Sequence, residues 1–401
     1  MKFTISGLII SICIIIVFAI SVQLPAQGQQ NLGLFGHKPG LVEFDAPGAA
    51  TVTSPACSSV CGTQPLGNNV EGVIVGSYTD ANVVPHGFLR TPDGNITSFD
   101  APGAGLGANL DEGTVAYTIN DLGVVVGQFE DPSEVFHGFL RYADGSFTII
   151  DAPGAGTGAG QGTLATSINF QGAAAGFYID GSNEYHGFAR SREGEITTFD
   201  PTGSVFTFVC EETCLNAAGA ITGSWQDSTG AQHGFIREPD GTITSFDPPG
   251  SAGITESASI NLEGTTTGYY LDSSSVIHGF LRTRAGNFTT LDAPEAGTGA
   301  VQGTGALSIN TLGAVTGEYI DSNNVMHGFS REAFGNYATF DAPGAGTSAG
   351  QGTRPSTNNL SGAVTGWWVD GNGLNHGFVW YPGGFGGFLS PIARPETRLQ
   401  N

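Results

Sequence analysis

The sequence predicts an all-β protein, a seven-bladed β-propeller of four-stranded antiparallel blades. The tripeptide HGF occurs seven times, 45 to 51 residues apart, and this period is typical of propeller blades. Each repeat also contains four short segments of strand composition separated by turn residues, and no stretch after the N-terminal segment has a sustained helical period. The tripeptides begin at His86, His137, His186, His233, His278, His327 and His376.

The third repeat shows the four predicted strands. They are Thr166 to Asn169, Ala173 to Ile179, His186 to Arg190, and Glu195 to Asp200. Their aromatic, β-branched and small residues favour strands, and the joints N-x-x-G, D-G-S-N and R-E-G are turn sequences. Four strands with such short joints predict one antiparallel blade.

The fourth strand of each repeat ends in an Asp that is usually followed by Ala-Pro-Gly. Proline lacks the N–H that a ladder needs, so the strand should end there. A Gly-rich run such as GAGTGAGQGT follows, but a phosphate-binding loop would need a helix behind it, and none is predicted. The strand-ending acids are Asp45, Asp100, Asp151, Asp200, Asp247, Asp292 and Asp341.

One spare fourth strand at the N-terminus predicts how the propeller closes. LVEFDAPG begins at Leu41, whereas the last repeat has only the degenerate GGFGGFLSP, which lacks Asp. We therefore expect strand 41–47 to complete the seventh blade and remove the exposed sheet edges. The complete units are about 66–100, 114–151, 163–200, 214–247, 256–292, 305–341 and 355–390, within a propeller of residues 41–390.

Residues 1–28 have the features of a signal peptide. Lys2 precedes an apolar run, Leu8 to Val22, and Ala26 and Gly28 suit cleavage before Gln29. We expect a secreted or cell-surface bacterial protein without membrane insertion after cleavage; retention as an anchor is the alternative. Residues 29–40 then form a linker and residues 391–401 a C-terminal tail.

The composition excludes some partners. Without Lys2, twelve basic and 36 acidic side chains remain, a net charge of −24. Nucleic acids and anionic membranes bind clusters of Lys and Arg, so we expect this protein to bind neither of them. The acidity favours a soluble monomer.

Four cysteines outside the N-terminal segment form two C-x-x-x-C pairs. Cys57 and Cys61 precede the first unit, and Cys210 and Cys214 precede the fourth. The pairs lie nearly opposite in a seven-unit ring, so we expect two local disulfides and no zinc site.

A residue present in every repeat is expected to be structural, because a catalytic site normally occurs once. Each His of HGF follows an Asp by about six residues, and we expect this Asp to cap the turn and the His to support the blade. The sequence predicts no cofactor and no resident metal, although hard Ca²⁺ would suit the Asp turns best. The turn acids are Asp80, Asp131, Asp180, Asp227, Asp272, Asp321 and Asp370.

Six of the eleven arginines follow HGF by two residues. We expect each to pair with an Asp of a neighbouring fourth strand or to support carbonyl groups at the blade end. They are Arg90, Arg141, Arg190, Arg237, Arg282 and Arg331.

A ligand site is expected where the repeats differ. The residue x of G-x-[YFW] in the second strand varies most, and it should face away from the near-constant aromatic beside it. We predict ligand binding at Trp367, Tyr269, Glu318 and Gln128, which offer flat apolar faces and hydrogen-bonding groups. Packing between blades is the alternative role for Trp225, Trp367, Trp368 and Trp380, and Glu256 and Glu318 have no predicted partner.

Three motifs together resemble the bacterial extracellular HAF-repeat family: H-G-F-[LAISV]-R, G-x-[IF]-T-x-[FIL]-D and S-I-N-x-x-G-x-x-x-G-x-Y-x-D. The resemblance covers about residues 41–390, with HGF in place of HAF and with Trp380 as the one copy of the family's usual Trp. It implies a secreted, propeller-like repeat protein and no particular activity.

The sequence favours a secreted, non-enzymatic binding or surface scaffold whose ligand is a polysaccharide or a protein. An extracellular polysaccharide hydrolase or lyase and a self-associating matrix protein are the alternatives. The absence of a unique catalytic motif favours the first, and a cluster of non-repeated acids would favour the hydrolase or lyase.

Overall fold

A computed structural model describes residues 39–53, 61–107, 112–210 and 213–383. These ranges contain 28 β-strands and no helix, which confirms the all-β class. No helical segment of membrane-spanning length and hydropathy occurs among the described residues.

Strands follow one another with short connections. The first is β1 (Gly40–Phe44). The next eight are β2 (Gly62–Asn68), β3 (Ile74–Thr79), β4 (Pro85–Arg90), β5 (Ile96–Phe99), β6 (Gly113–Ile119), β7 (Val125–Glu130), β8 (Val135–Arg141) and β9 (Phe147–Ile150). Then come β10 (Gln161–Ile168), β11 (Ala174–Ile179), β12 (Tyr185–Arg190), β13 (Ile196–Phe199), β14 (Ser204–Val209), β15 (Ile221–Asp227), β16 (Gln232–Arg237) and β17 (Ile243–Phe246). The remainder are β18 (Thr255–Ile260), β19 (Thr266–Leu271), β20 (Ile277–Arg282), β21 (Phe288–Leu291), β22 (Gly303–Ile309), β23 (Val315–Ile320), β24 (Met326–Arg331), β25 (Tyr337–Phe340), β26 (Gly352–Asn358), β27 (Val364–Val369) and β28 (Asn375–Tyr381).

The strands pair in groups of four. From β2 onwards, each strand pairs antiparallel with the next one in its group, as in β10–β11–β12–β13. The last group has β26, β27 and β28, and β1 pairs antiparallel with β28 from Gly40↔Tyr381 to Phe44↔Gly377. The predicted pairing of the N-terminal strand with the last repeat is therefore present. Next to it, β28 also meets β2 through a parallel pair, Gly62↔Asn375.

The Phe of each HGF tripeptide forms the centre of the core. All seven are 0 % exposed, and burial of one such side chain stabilises the fold by about 1.5–3 kcal/mol. The clusters join neighbouring groups: Leu140 and Ile150 of one pack with Ile168 and Phe188 of the next. Each group therefore depends on its neighbour for burial. The seven residues are Phe88, Phe139, Phe188, Phe235, Phe280, Phe329 and Phe378.

A circuit of seven asparagines joins the groups, and each Asn lies between the first and second strands of its group. The side-chain amide of each donates to the backbone carbonyl of the equivalent Asn in the next group, at 2.7 to 3.4 Å. The last of them, Asn359, donates to Asn69, so the circuit returns to its first member. We call it the Asn circuit; its members, 3 to 7 % exposed, are Asn69, Asn120, Asn169, Asn216, Asn261, Asn310 and Asn359.

Close approach between groups explains one of the repeated glycines. Gly162, the second residue of β10, has φ of +124°, and a Cβ there would overlap the carbonyl oxygen of Phe136 in β8. The neighbouring Thr163 hydroxyl accepts the Ala152 N–H at 2.8 Å, which fixes the loop after the fourth strand. The Gly-rich connection is thus structural, as predicted.

The fourth unit differs from its predicted boundary. Its first strand is β14, Ser204–Val209, whereas the sequence interpretation began the unit at residue 214. Cys210 and Cys214 therefore follow the first strand instead of preceding it, because the segment SVFTFV itself pairs with β15. Their disulfide is present, with 5.7 Å between the Cα atoms. Cys61 is also disulfide-bonded, and Cys57 lies outside the described residues.

Candidate functional site

The seven repeated histidines have one structural environment. Nδ1 of each lies 2.7 to 3.0 Å from a carboxylate oxygen of the Asp that ends a fourth strand. Nε2 lies 3.6 to 3.9 Å from the turn Asp of the same repeat. The near-constant aromatic of the second strand covers each imidazole, with ring centroids 4.2 to 5.3 Å apart. Seven equal environments fit a structural role.

The N-terminal strand supplies the partner for the seventh histidine. His376 Nδ1 lies 2.9 Å from Asp45, the Asp that follows β1. This hydrogen bond and the nearby negative charge of Asp45 raise the pKa of His376, against the opposing effect of burial. The pair links positions 331 residues apart.

Each turn Asp caps its hairpin, as predicted. In the third repeat Oδ1 of Asp180 accepts the N–H groups of Ser182 and Glu184 at 2.7 and 2.9 Å. The hydrogen bond from Glu184 is the main reason that the pKa of Asp180 is lowered. At Asp227 the Thr229 hydroxyl is the main cause, and the pKa falls to about 2.

These capping bonds limit the turns as metal sites. Among the described residues, one group of three metal-type ligands converges, Asp180, Glu184 and His186, whose ligand atoms lie within 4.8 Å of one another. Oδ1 of Asp180 is already a double acceptor, and His186 Nδ1 is held by Asp200. The absence of a resident metal stays a prediction, with calcium at the Asp turns as its alternative.

The repeated arginines support carbonyl groups, which was one of the two expected roles. Nη1 of each donates to the carbonyl of the following residue at 3.2 to 3.5 Å. Four of them also stand over the aromatic ring of a neighbouring fourth strand, as Arg90 does over Phe44 at 4.7 Å. The other expected role, pairing with the Asp after a fourth strand, is wrong in the described structure, because those Asp residues bond to the histidines.

Three of the four tryptophans pack inside the fold. Trp225 and Trp368 cover the histidines of their repeats, and Trp380 stacks on Phe340 with centroids 4.4 Å apart. Trp367 differs, because it lines a cavity of about 250 Å³.

This cavity brings together three of the four predicted ligand-binding residues. Tyr269, Glu318 and Trp367 occupy the same variable position in three successive repeats, and all three line it. We call it the Trp367 cavity; its other lining residues are Ile277, Gly303, Gly305, Leu307, Ile320, Arg354 and Pro355. Gln128 does not line it. Gln128 is half-buried on β7, and its Oε1 is buried without a hydrogen-bond partner.

Arg354 is the residue that sequence reasoning missed. Its Nε lies 3.0 Å and its Nη2 3.4 Å from the two carboxylate oxygens of Glu318, and its guanidinium stands 5.3 Å from the centre of the Trp367 ring. Glu318 therefore has a partner, contrary to expectation. Arg354 pairs directly across the strands with Trp367, so it belongs to a second variable position, in the first strand. The signal was present, since the residue after Gly-Thr also changes from repeat to repeat.

A second cavity, of about 370 Å³, lies in the preceding repeats. We call it the Phe206 cavity; it is lined by Phe206, Phe208, Gln226, Gln232 and Glu256. The Gln232 amide donates to Glu256, so this acid also has a partner, contrary to expectation. Glu256 and Tyr269 are cross-strand partners, and they line different cavities.

Comparison with solved structures finds two lyases with a similar overall fold and a lectin of lower similarity. Virginiamycin B lyase from Staphylococcus aureus is similar with a TM-score of 0.54 and 12% identity, covering 86% of this chain and 99% of that one. A streptogramin B lyase has a TM-score of 0.50 and 13% identity, and the match covers 85% of this chain and 97% of that one. The BP39L lectin from Burkholderia pseudomallei has a TM-score of 0.45 and 10% identity, and the match covers 76% of this chain and 94% of that one. No protein-family model matches the chain, and no curated protein sequence matches it. At these identities the likeness concerns the fold alone.

Proposed function

We propose that this chain is a secreted bacterial protein of the HAF-repeat family that binds a neutral polysaccharide in the Trp367 cavity and catalyses no reaction. The observation that carries the proposal is the convergence of Tyr269, Glu318 and Trp367 on one cavity. Positions that vary on a repeated scaffold are where such proteins acquire specificity. The histidines, turn acids and repeated arginines are occupied in supporting the strands.

The chemistry of the cavity favours sugars. Aromatic rings offer flat apolar faces to sugar rings, while carboxylate and guanidinium groups bond their hydroxyls. Arg354 and Glu318 neutralise each other, so the cavity favours an uncharged ligand over an anionic or cationic one. The overall negative charge also disfavours acidic polysaccharides.

Binding is favoured over hydrolysis. A glycoside hydrolase uses two carboxyl groups on either side of the scissile bond, one as an acid and one as a base or nucleophile. Glu318 is held by a two-point contact with Arg354, and Glu256 is engaged by Gln232. Carboxylates held in this way suit hydrogen bonding and orientation of a ligand.

The proposed scaffold is a closed ring of seven blades. It is supported by the 28 strands, by the β1–β28 pair and by the Asn circuit that returns to Asn69. If the ring is closed by β1, deletion of residues 29–48 should lower the Tm clearly and make the transition broader. An unchanged Tm would contradict closure.

Secretion is supported by the N-terminal segment and by the Cys210–Cys214 disulfide, which suits an oxidising compartment. Mass spectrometry of the protein recovered outside the cells should show an N-terminus at Gln29. An intact N-terminal segment on cell-bound material would indicate the anchor instead.

The binding proposal is tested with a glycan array probed by residues 29–401, with and without Ca²⁺. Neutral glycans should be retained, and Trp367→Ala and Tyr269→Ala should each weaken that binding with little change in Tm. Phe170→Ala is the matched control, since it removes an aromatic ring that is 54% exposed and lines neither the Trp367 cavity nor the Phe206 cavity. Phe170 borders a separate cavity beside the Asn circuit. Unchanged affinity in a folded Trp367→Ala, Tyr269→Ala double variant would overturn the proposed site, and absence of any glycan binding would overturn the function.

A further inference from the structure

The two cavities meet at one pair of residues. Glu256 on β18 lines the Phe206 cavity, and its direct cross-strand partner Tyr269 on β19 lines the Trp367 cavity. Side chains that are directly opposite in antiparallel strands have Cβ atoms about 4.5–5.5 Å apart. Hence the walls of the two cavities touch at this pair, and no other strand separates them.

The Phe206 cavity exists because the fourth repeat departs from the pattern. Phe206 pairs with Gln226, the position at which Gly162 pairs with Ile179 in the third repeat. A glycine occupies the equivalent position, at the start of the first strand or one residue into it, in five other groups and lets the backbones approach closely: Gly62, Gly113, Gly162, Gly303 and Gly352. In the fourth group this position is Phe206 instead of glycine, and its partly exposed ring lines the cavity.

Aromatic packing makes this surface rigid. The Phe206 ring lies against that of Tyr185, with centroids 4.3 Å apart, and the Phe208 ring lies against that of the buried Phe177, with centroids 4.8 Å apart. Both Phe206 and Phe208 remain partly exposed. Flat rings that neighbours hold in place lose little entropy when a ligand binds.

The Phe206 cavity combines aromatic rings with hydrogen-bonding side chains, as the Trp367 cavity does. Gln226, Gln232 and Glu256 surround the rings with amide and carboxylate groups, and none of the described residues that line this cavity is basic. The Gln232–Glu256 hydrogen bond fixes the orientation of the carboxylate next to Tyr269. Rings bordered by hydrogen-bonding side chains therefore continue from Trp367, past Tyr269, to Phe206.

We propose that the two cavities are subsites of one groove, which takes an extended neutral oligosaccharide chain instead of a single sugar. This inference rests on the proposed polysaccharide binding and adds the length and path of the ligand. Trp367 and Tyr269 contact one part of the chain, and Phe206 and Phe208 contact sugars further along it. The pair Glu256 and Tyr269 is the point at which the chain crosses from one subsite to the other.

The test compares ligand length with position in the groove. Residues 29–401 are titrated by calorimetry with ladders of neutral β-linked glucose, mannose, galactose and N-acetylglucosamine oligomers of two to six sugars. For the ladder that binds, affinity should increase with length. Phe206→Leu keeps apolar volume while removing the flat ring, and it should weaken binding of the longest oligomer about three- to tenfold and leave the shortest unchanged.

The outcomes separate this inference from the function on which it rests. Trp367→Ala should weaken binding at every length, and the control Phe170→Ala at none. Equal affinity for all lengths, or an unchanged affinity of Phe206→Leu for the longest oligomer, would overturn the extended groove while the function stands. Retention of peptides but of no sugar, or of neither, would overturn both.

Discussion

Replacement of one member of the Asn circuit provides the sharpest test of the fold. Asn169 donates through Nδ2 to the Asn216 carbonyl at 3.1 Å, and its Oδ1 accepts the Ala173 N–H at 3.0 Å. Asn169→Ala removes both bonds. The Asn216 carbonyl keeps the N–H of Gly219 at 3.0 Å, so loss of the first bond should cost about 1 kcal/mol. The Ala173 N–H loses its side-chain acceptor, at about 1–2 kcal/mol, and the free energy of unfolding should fall by about 2–3 kcal/mol in total.

Two further variants test whether the loss of stability comes from the hydrogen bonds of Asn169. Asn169→Asp keeps the acceptor for Ala173 but places a carboxylate against the Asn216 carbonyl at a site that is 6% exposed. It should be at least as destabilising as Asn169→Ala at neutral pH. Burial raises the folded-state pKa of the introduced acid, so this loss should grow as pH rises above the unfolded value of about 4. Asn323→Ala is the matched control, because Asn323 is exposed and its amide donates to Asp321 within the same turn, and the change should cost less than about 0.5 kcal/mol.

Urea unfolding followed by tryptophan fluorescence measures these differences. Asn310→Ala, in another repeat, should match Asn169→Ala within about 1 kcal/mol. If Asn169→Ala were as stable as Asn323→Ala, or if Asn169→Asp exceeded the wild type in stability at pH 7, the circuit would not contribute as described.

The other predictions concern the histidines and the disulfides. His186→Ala and His278→Ala should each cost about 1–3 kcal/mol by calorimetry, because each removes the hydrogen bond between imidazole and Asp and the ring that covers an aromatic side chain; loss of a ligand in one folded variant alone would contradict their equivalence. The pKa of His376 is raised in the fold, so its pairing with Asp45 should stabilise fully below about pH 6.5 and lose its effect as pH rises through the folded value, and Asp45→Asn should remove this dependence. Peptide mapping without reduction should recover the Cys210–Cys214 disulfide within one peptide, and its loss should cost only about 1–2 kcal/mol, since the loop is short.

Periodicity allowed most of the strand pattern to be predicted, because the same turn residues recur in every repeat. In the third repeat the predicted second strand, 173–179, differs from β11 by one residue. The fourth repeat was harder, because its Gly-rich connection is replaced by a strand. SVFTFV is rich in aromatic and β-branched residues, as strands are, but the neighbouring cysteines placed it outside the unit in the sequence interpretation.

The candidate site was predicted in part for a related reason. Comparison of repeats at one strand position found Tyr269, Glu318 and Trp367, which the fold brings to one cavity. Arg354 lies on a different strand, and its pairing with Glu318 depends on how neighbouring groups face each other. Variation along a single strand does not contain that information. Gln128 varies in the same way as the others, but its neighbours do not form this cavity.

The pairing of β1 with β28 also determines when the molecule finishes folding. Asp45 and His376 are 331 residues apart, so their contact has one of the longest loops to close and contributes to a high contact order. The strand that is synthesised among the first must wait for the last repeat, while earlier groups are already able to pack on their neighbours. During that interval β1 lacks its partner β28, and an unpaired strand edge promotes association with other chains. Pairing of β1 with β28 is therefore the step at which folding and aggregation compete.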